Sequence, residues 1–132
     1  MEIGDVYLVN FHYEENARFA KLRPAVCILI NSNNDEFAAL KVTSKERAYD
    51  KCSIRLTESK AAGLKVQSFV RCNKIEFFKS SDIIAKRGNL SEHDLRSVIS
   101  GFNDYYSRLS EINQSIKQYQ EEPEQPDLEM EL

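Results

Sequence analysis

Few residues in this chain suit catalysis or the binding of a charged ligand. Arg23 precedes Pro24 at the end of a long polar segment, Thr43-Ser44-Lys45 closes an apolar run, and Arg71 lies in the alternating stretch Phe69-Val70-Arg71-Cys72-Asn73. A guanidinium presents a planar fork of donors that fits phosphate oxygens, and it stays charged at any working pH. A threonine or serine hydroxyl nearby can donate to a further oxygen. Alternation puts Phe69 and Arg71 on one side of a strand, an aromatic beside a cation, as single-stranded nucleic acid requires for stacking and neutralisation. Taken singly, each arginine reads more often as a surface ion-pair partner.

Other chemistries lack their residues. The chain carries no phosphate-binding glycine loop, no GxSxG elbow and no HExxH helix. Cys27, Cys52 and Cys72 are widely spaced with no CxxC pair, and the only histidines are His12 and His93. A zinc site needs four clustered ligands, so no metal and no cofactor is expected. The thiols read as small, buried and reduced.

The elements that must position these residues are mostly strands. Apolar or alternating runs at 6–11 (VYLVNF), 25–30 (AVCILI), 37–43 (FAALKVT), 52–56 (CSIRL), 67–72 (QSFVRC) and 75–78 (IEFF) have strand length. Such a series predicts a small barrel or sandwich. Residues 31–35 (NSNND) read as a turn, and Gly63 and Gly88 as two further reversals. The polar segments 12–22 and 44–51 read as the long loops where function tends to sit. Pro24 holds Arg23 extended at the start of the second strand.

Beyond Gly88 the period changes. Ser91 reads as an N-cap with Asp94 completing a capping box. Leu95, Val98, Phe102, Tyr105, Leu109, Ile112, Ile116 and Tyr119 then recur at alternating spacings of three and four, predicting a helix over about 91–119 that Pro123 and Pro126 close.

The chain has 132 residues, 42% hydrophobic and 30% charged, the balance of one globular domain. That domain is expected over 1–119, followed by a disordered acidic tail at 120–132. Residues 121–132 hold six acids and no base, so the net charge of −3 becomes 18 bases against 15 acids, +3, over 1–120. A basic body permits a polyanionic partner. The longest apolar run, 25–30, is far short of the ~20 residues of a membrane span, and residues 1–5 (MEIGD) lack a secretory pattern. A cytoplasmic location is expected.

Four landmarks, in order, resemble the PemK/Kid/MazF family of toxin endoribonucleases from bacterial toxin–antitoxin systems. Gly4-Asp5-Val6-Tyr7-Leu8-Val9 resembles the family's opening strand, and Leu22-Arg23-Pro24-Ala25-Val26 its "RP" motif. Val42-Thr43-Ser44 is similar to its Thr-Ser strand end. Gly63-Leu64 through Val70-Arg71-Cys72-Asn73-Lys74-Ile75 resembles its arginine-bearing strand, with Ile84, Gly88 and Leu90-Ser91-Glu92 following as before the family's last helix. The likeness covers about residues 3–105.

The resemblance implies an SH3-like small barrel, mostly β, with a C-terminal helix that is here extended. It also implies a homodimer, a cognate antitoxin and metal-independent cutting of single-stranded RNA. In that reaction the ribose 2′-hydroxyl attacks the adjacent phosphate and leaves 2′,3′-cyclic phosphate and 5′-hydroxyl ends. By resemblance Arg71, Arg23 and Thr43 are the catalytic residues. Ser44, Lys45, Asn73, Phe69, Gln67 and Lys21 are the expected substrate-binding residues.

Two positions depart from the pattern. Asn73 stands where the PemK/Kid branch has an aspartate, and Arg18 where some MazF relatives have a loop acid. An amide orients a hydroxyl but cannot take its proton. The base then falls to Glu14, Glu15 or His12, and Asn73→Asp is expected to raise the rate. Two other readings share the fold: a gyrase-poison-like toxin that binds protein through its helix, and a lapsed barrel that binds RNA or a partner without cutting. Family helices end sooner than this one, so the stretch 109–119 reads either as a frayed amphipathic extension or as a short coiled coil with a second copy.

Overall fold

Strands form where β-branched and apolar residues alternate, and they extend past the runs themselves because each borrows hydrogen-bond partners from its neighbour. The computed structural model describes residues 1–13, 15, 16, 18–46 and 49–121. Its strands are β1 (Asp5–His12), β2 (Ala20–Asn31), β3 (Glu36–Thr43), β4 (Ser53–Arg55), β5 (Phe69–Lys79) and β6 (Ala85–Asn89), followed by a helix, α1 (Glu92–Glu121). The strands form one antiparallel sheet in the order β4-β5-β3-β2-β1-β6.

The sheet curls into the expected small barrel, although its ladder does not close. Two strands separate β1 from β5, which in a flat sheet would hold them about 14 Å apart. Yet the Phe11 and Phe78 rings lie 5.8 Å apart, centroid to centroid. The segment after β4 covers the seam beside β6. A Cβ on Gly63, whose φ is +86°, would lie 2.1 Å from the Arg87 carbonyl oxygen, and one on Gly88 2.6 Å from that of Ala62. Two backbones meet there with no room for a side chain.

Both faces of the sheet are buried. Tyr7, Val9, Phe11, Ala25, Cys27, Phe37, Ala39 and Phe78 fill one. Val6, Val26, Leu40, Val42, Val70 and Cys72 fill the other, where Leu95, Val98 and Phe102 of α1 pack. Only the first half of the helix does this; Tyr106, Leu109, Ile112, Ile116 and Tyr119 are exposed.

Several boundaries differ from the sequence reading. β2 begins at Ala20, paired with His12, so the first loop is shorter than 12–22 and Arg23 lies inside the strand. The runs 67–72 and 75–78 belong to one strand: between Leu40↔Ile75 and Lys41↔Arg71 the register shifts, and 72–74 form a bulge. Gly88 is no reversal but part of β6, a strand without β-branched residues that forms by pairing with β1. Residues 122–132 of the acidic tail lie outside the described residues.

Asp94 is used differently from the predicted capping box. Ser91 Oγ does accept the Asp94 N–H at 3.2 Å. The Asp94 carboxylate, however, reaches across to the segment after β4, accepting from the Thr57 N–H at 2.9 Å, the Thr57 hydroxyl at 2.9 Å and the Glu58 N–H at 3.0 Å. Burial alone would raise its pKa, but these hydrogen bonds prevail and hold the carboxyl below its ordinary value. Buried Asp5 is held low in the same way, burial being outweighed by donors from Glu2, Tyr7 and Lys86. With folded-state values below the unfolded ones, the stabilisation is present above about pH 4 and is lost as pH falls through the folded values. Asp94→Ala is therefore expected to cost roughly 1–3 kcal/mol at pH 7 and to flatten the acid side of the stability–pH curve. Urea titrations between pH 3 and 7 measure both; an unchanged acid slope would refute the role given to Asp94.

Candidate active site

The site begins with Pro24. Proline has no N–H to give a ladder, and the β2–β3 pairing starts one residue later, at Ala25↔Lys41. Past that pair the two strands part, and a cleft of about 270 Å³ forms between them, with Arg23, Thr43, Ser44, Lys65, Ser68 and Arg87 among its lining. The lining holds three cations, three hydroxyls and no carboxylate, a composition that suits an anion. A larger hollow of about 600 Å³ lies elsewhere, beside Leu29, Ile30 and Phe77. Its lining carries Glu36 and no cation, so the smaller cleft is the better candidate.

Register places the predicted residues on one sheet face. Directly opposed residues in an antiparallel pair share a face: Val9 with Arg23, Ala25 with Lys41, Lys41 with Arg71, and Thr43 with Phe69. Alternation joins these pairs, so Arg23, Lys41, Thr43, Phe69 and Arg71 form a single array across three neighbouring strands. Arg23 is half-buried. Thr43 Oγ1 accepts the Lys45 N–H at 3.1 Å, which leaves its hydroxyl proton available to a substrate oxygen. Ser44 and Lys45, just beyond the strand end, are exposed.

Arg71 is deeper than the sequence suggests. Its Nε donates to Asp50 Oδ2 at 3.1 Å, with side-chain exposures of 11% and 6% for the two residues. Asp50 Oδ1 in turn accepts the Cys52 N–H at 3.0 Å. The sequence reading did not single out Asp50, an isolated acid in a polar segment whose partner lies 21 positions away.

The remaining candidates divide. Phe69 is only 7% exposed, so its ring packs within the fold and offers little surface to a base. Gln67 is occupied: Nε2 donates to the Leu56 carbonyl at 2.6 Å, and Oε1 accepts from Arg55 at 3.3 Å. Lys21 is exposed on β2, opposite Phe11. Asn73 sits in the bulge of β5 with its Oδ1 buried and without a hydrogen-bond partner among the described residues.

The candidate bases also separate. Glu14 lies outside the described residues, and Glu15 is exposed. His12 alone is held, its Nδ1 2.5 Å from Glu76 Oε2 and its N–H donating to Glu76 Oε1 at 3.0 Å. Two of the thiols offer no nucleophile: burial pushes Cys27 up to about 11 and Cys72 up to about 12. Among the described residues no three His, Cys, Asp or Glu gather to hold a metal ion, and no helix is long and apolar enough to cross a membrane.

No curated protein matches the chain. Among solved structures, it resembles MazF (Form-I) from Deinococcus radiodurans with a TM-score of 0.64 and 17% identity, over 81% of this chain and 96% of that one. An endoribonuclease from a mycobacterial species matches with a TM-score of 0.62 and 13% identity, over 81% and 91%. The structure of a mycobacterial endoribonuclease in complex with its cognate antitoxin matches with a TM-score of 0.62 and 14% identity, over 79% and 92%. At such identities the likeness is one of fold. The family model for PemK-like, MazF-like toxins of type II toxin–antitoxin systems matches residues 2–105, and the chain belongs to that family.

Proposed function

We propose that this chain is an RNA-cutting toxin that cleaves single-stranded RNA by transesterification without a metal, leaving 2′,3′-cyclic phosphate and 5′-hydroxyl ends. The observation that carries this reading is the array of Arg23, Thr43, Lys41 and Arg71 on one sheet face, beside a cleft with no acid in its lining. Attack by the 2′-oxygen gathers negative charge on the phosphorus oxygens, and fixed cations and hydroxyl donors stabilise that charge as it develops. Arg23 and Thr43 flank the cleft and bind the phosphate; Arg71 adds charge from below. Exposed Ser44, Lys45 and Lys21 extend the basic track along the strand ends.

The same reading gives the protein a cognate antitoxin and a homodimeric state in the cytoplasm. Sedimentation of the full chain checks the dimer. Asn73, an amide in place of a carboxylate, favours a second reading in which the face binds RNA without cutting it.

One assay separates the two. Purified protein incubated with mixed-sequence RNA in EDTA is expected to give fragments whose 3′ ends carry cyclic phosphate. Fragments that need magnesium, or that carry 5′-phosphates, would overturn the cleavage reading. Bound but intact RNA would establish the second.

A further inference from the structure

The reaction proposed above needs a group to take the 2′-hydroxyl proton, and Asn73 cannot be that group. We infer that His12 is the general base and that Glu76 is its positioning residue. This inference rests on the cleavage reading and names a component of the same site.

The pair exists because the sheet curls. His12 ends β1 and Glu76 lies in β5, with two strands between them in the sheet order, and 64 positions separate them along the chain. Closure of the curl brings the carboxylate onto His12 at two points, its backbone N–H at 3.0 Å and its ring Nδ1 at 2.5 Å. A carboxylate on Nδ1 fixes the tautomer that carries its proton there, so the lone pair sits on Nε2. His12 Nε2 has no hydrogen-bond partner among the described residues, and the side chain is 51% exposed while Glu76 is 21% exposed. The result is an imidazole turned to solvent and anchored from behind, the arrangement by which a carboxylate orients a histidine base and steadies the imidazolium it becomes.

Its position suits the chemistry. Val9 is opposite Arg23 in β2, so alternation turns His12, three residues further along β1, to the other side of that strand. Glu76, whose carboxylate holds the His12 ring, lies on the array's own face, and the contact across the seam sets the ring beside that face. Glu76 follows Arg71 and Asn73 on β5, opposite Ala39 and two residues from the Lys41↔Arg71 pair. On the neighbouring strands, Lys21 of β2 lies opposite Phe11, Lys41 of β3 has its Nζ 6.0 Å from the centre of the Phe11 ring, and Lys74 follows Asn73 on β5. Arg23, Glu36, Arg71 and Lys79 are the other charged residues of these strands, and Glu76 is the carboxylate in contact with the ring.

In the step itself, the 2′-hydroxyl proton passes to His12 Nε2 as the 2′-oxygen forms its bond to phosphorus. The bond from phosphorus to the 5′-oxygen breaks, and the departing oxygen takes a proton from a water molecule. The hydroxide so formed recovers the proton from His12. The net transfer is one proton from the 2′-oxygen to the 5′-oxygen, with no water consumed.

The test uses the full chain, single-turnover cleavage in EDTA and RNA binding measured separately. His12→Ala, at a half-exposed position, is expected to keep the parent Tm and RNA affinity while cleavage falls about 10²- to 10⁴-fold, the usual contribution of a general base. The acid limb of the pH–rate profile is expected to vanish with it. Glu76→Gln keeps a hydrogen-bond acceptor but no longer fixes the tautomer, and should lower the single-turnover rate constant roughly 10-fold or more with RNA affinity and Tm unchanged, a split that a merely structural role would not give. With a substrate whose leaving 5′-oxygen is replaced by sulfur, which departs without an acid, the His12→Ala defect is expected to persist. Rescue by that substrate would make His12 an acid and overturn the assignment. So would undiminished cleavage by His12→Ala, or an Asn73→Asp variant whose gain in rate is independent of His12. If the unaltered protein cuts no RNA, the cleavage reading fails first and takes this inference with it; if it cuts and His12→Ala cuts equally, only the inference fails.

Discussion

Replacing Arg71 by alanine is expected to reduce RNA cleavage by roughly 10²-fold or more and to destabilise the fold by about 3–5 kcal/mol. The second effect follows from Asp50. Arg71 Nε and Asp50 Oδ2 are 3.1 Å apart with both side chains nearly buried, so removing the guanidinium strands a carboxylate away from water. The sequence alone suggests a clean catalytic knockout at this position; the buried pair makes it a compound one. For a domain of this size the stability loss corresponds to a Tm fall on the order of 10–20 °C. The two effects are separable. Asp50→Asn in the Arg71→Ala background removes the stranded charge and is expected to recover most of the Tm, while cleavage stays low. Assays of the single variant belong well below its Tm, so that unfolded protein does not pass for an inactive site. Arg71→Ala that cleaves at the parent rate would remove Arg71 from the machinery and leave it a structural partner of Asp50.

What the sequence could and could not convey follows from the range of the forces involved. β1, β2 and β3 were legible because alternation is local and both faces of each strand bury apolar residues. The bulge at 72–74 was not, since Asn73-Lys74 reads as a break until Leu40 and Lys41 are seen to pair on either side of it. β6 was not legible either: Ala85–Asn89 has no strand composition, and it forms by pairing with β1. The same limit applies to the site. Arg23 and Thr43 were found from their motifs, but Asp50 and Glu76 are single acids with nothing around them in sequence to mark them. Their partners lie 21 and 64 positions away. His12 was one of three candidate bases that no spacing separates, and only the curl of the sheet distinguishes it.

Arg23→Ala is expected to lower cleavage by about 10²- to 10³-fold with little change in Tm, the opposite profile to Arg71. Arg23 is half-buried at the cleft, and its side chain makes no ion pair or hydrogen bond among the described residues. Its loss therefore orphans nothing in the folded state. As a phosphate contact it should also reduce the slope of log affinity against log salt by about 0.7 on single-stranded RNA. Arg23→Lys keeps the charge without the bidentate fork and should fall between parent and alanine. Thr43→Val removes one hydroxyl donor to a charged oxygen, a loss of roughly 10- to 100-fold. Thr43 and Arg23 both line the cleft that opens where the two strands part beyond Ala25↔Lys41. Two groups so placed act on one phosphate, and once Arg23 is gone the phosphate no longer sits where Thr43 can reach it. The double variant is accordingly expected to be no more than about 2- to 3-fold slower than Arg23→Ala alone, a coupling that independent sites would not show. Strict additivity of the two losses, measured in single-turnover cleavage, would mean that the arginine and the threonine serve different parts of the substrate and that the cleft between them is not where the phosphate reacts.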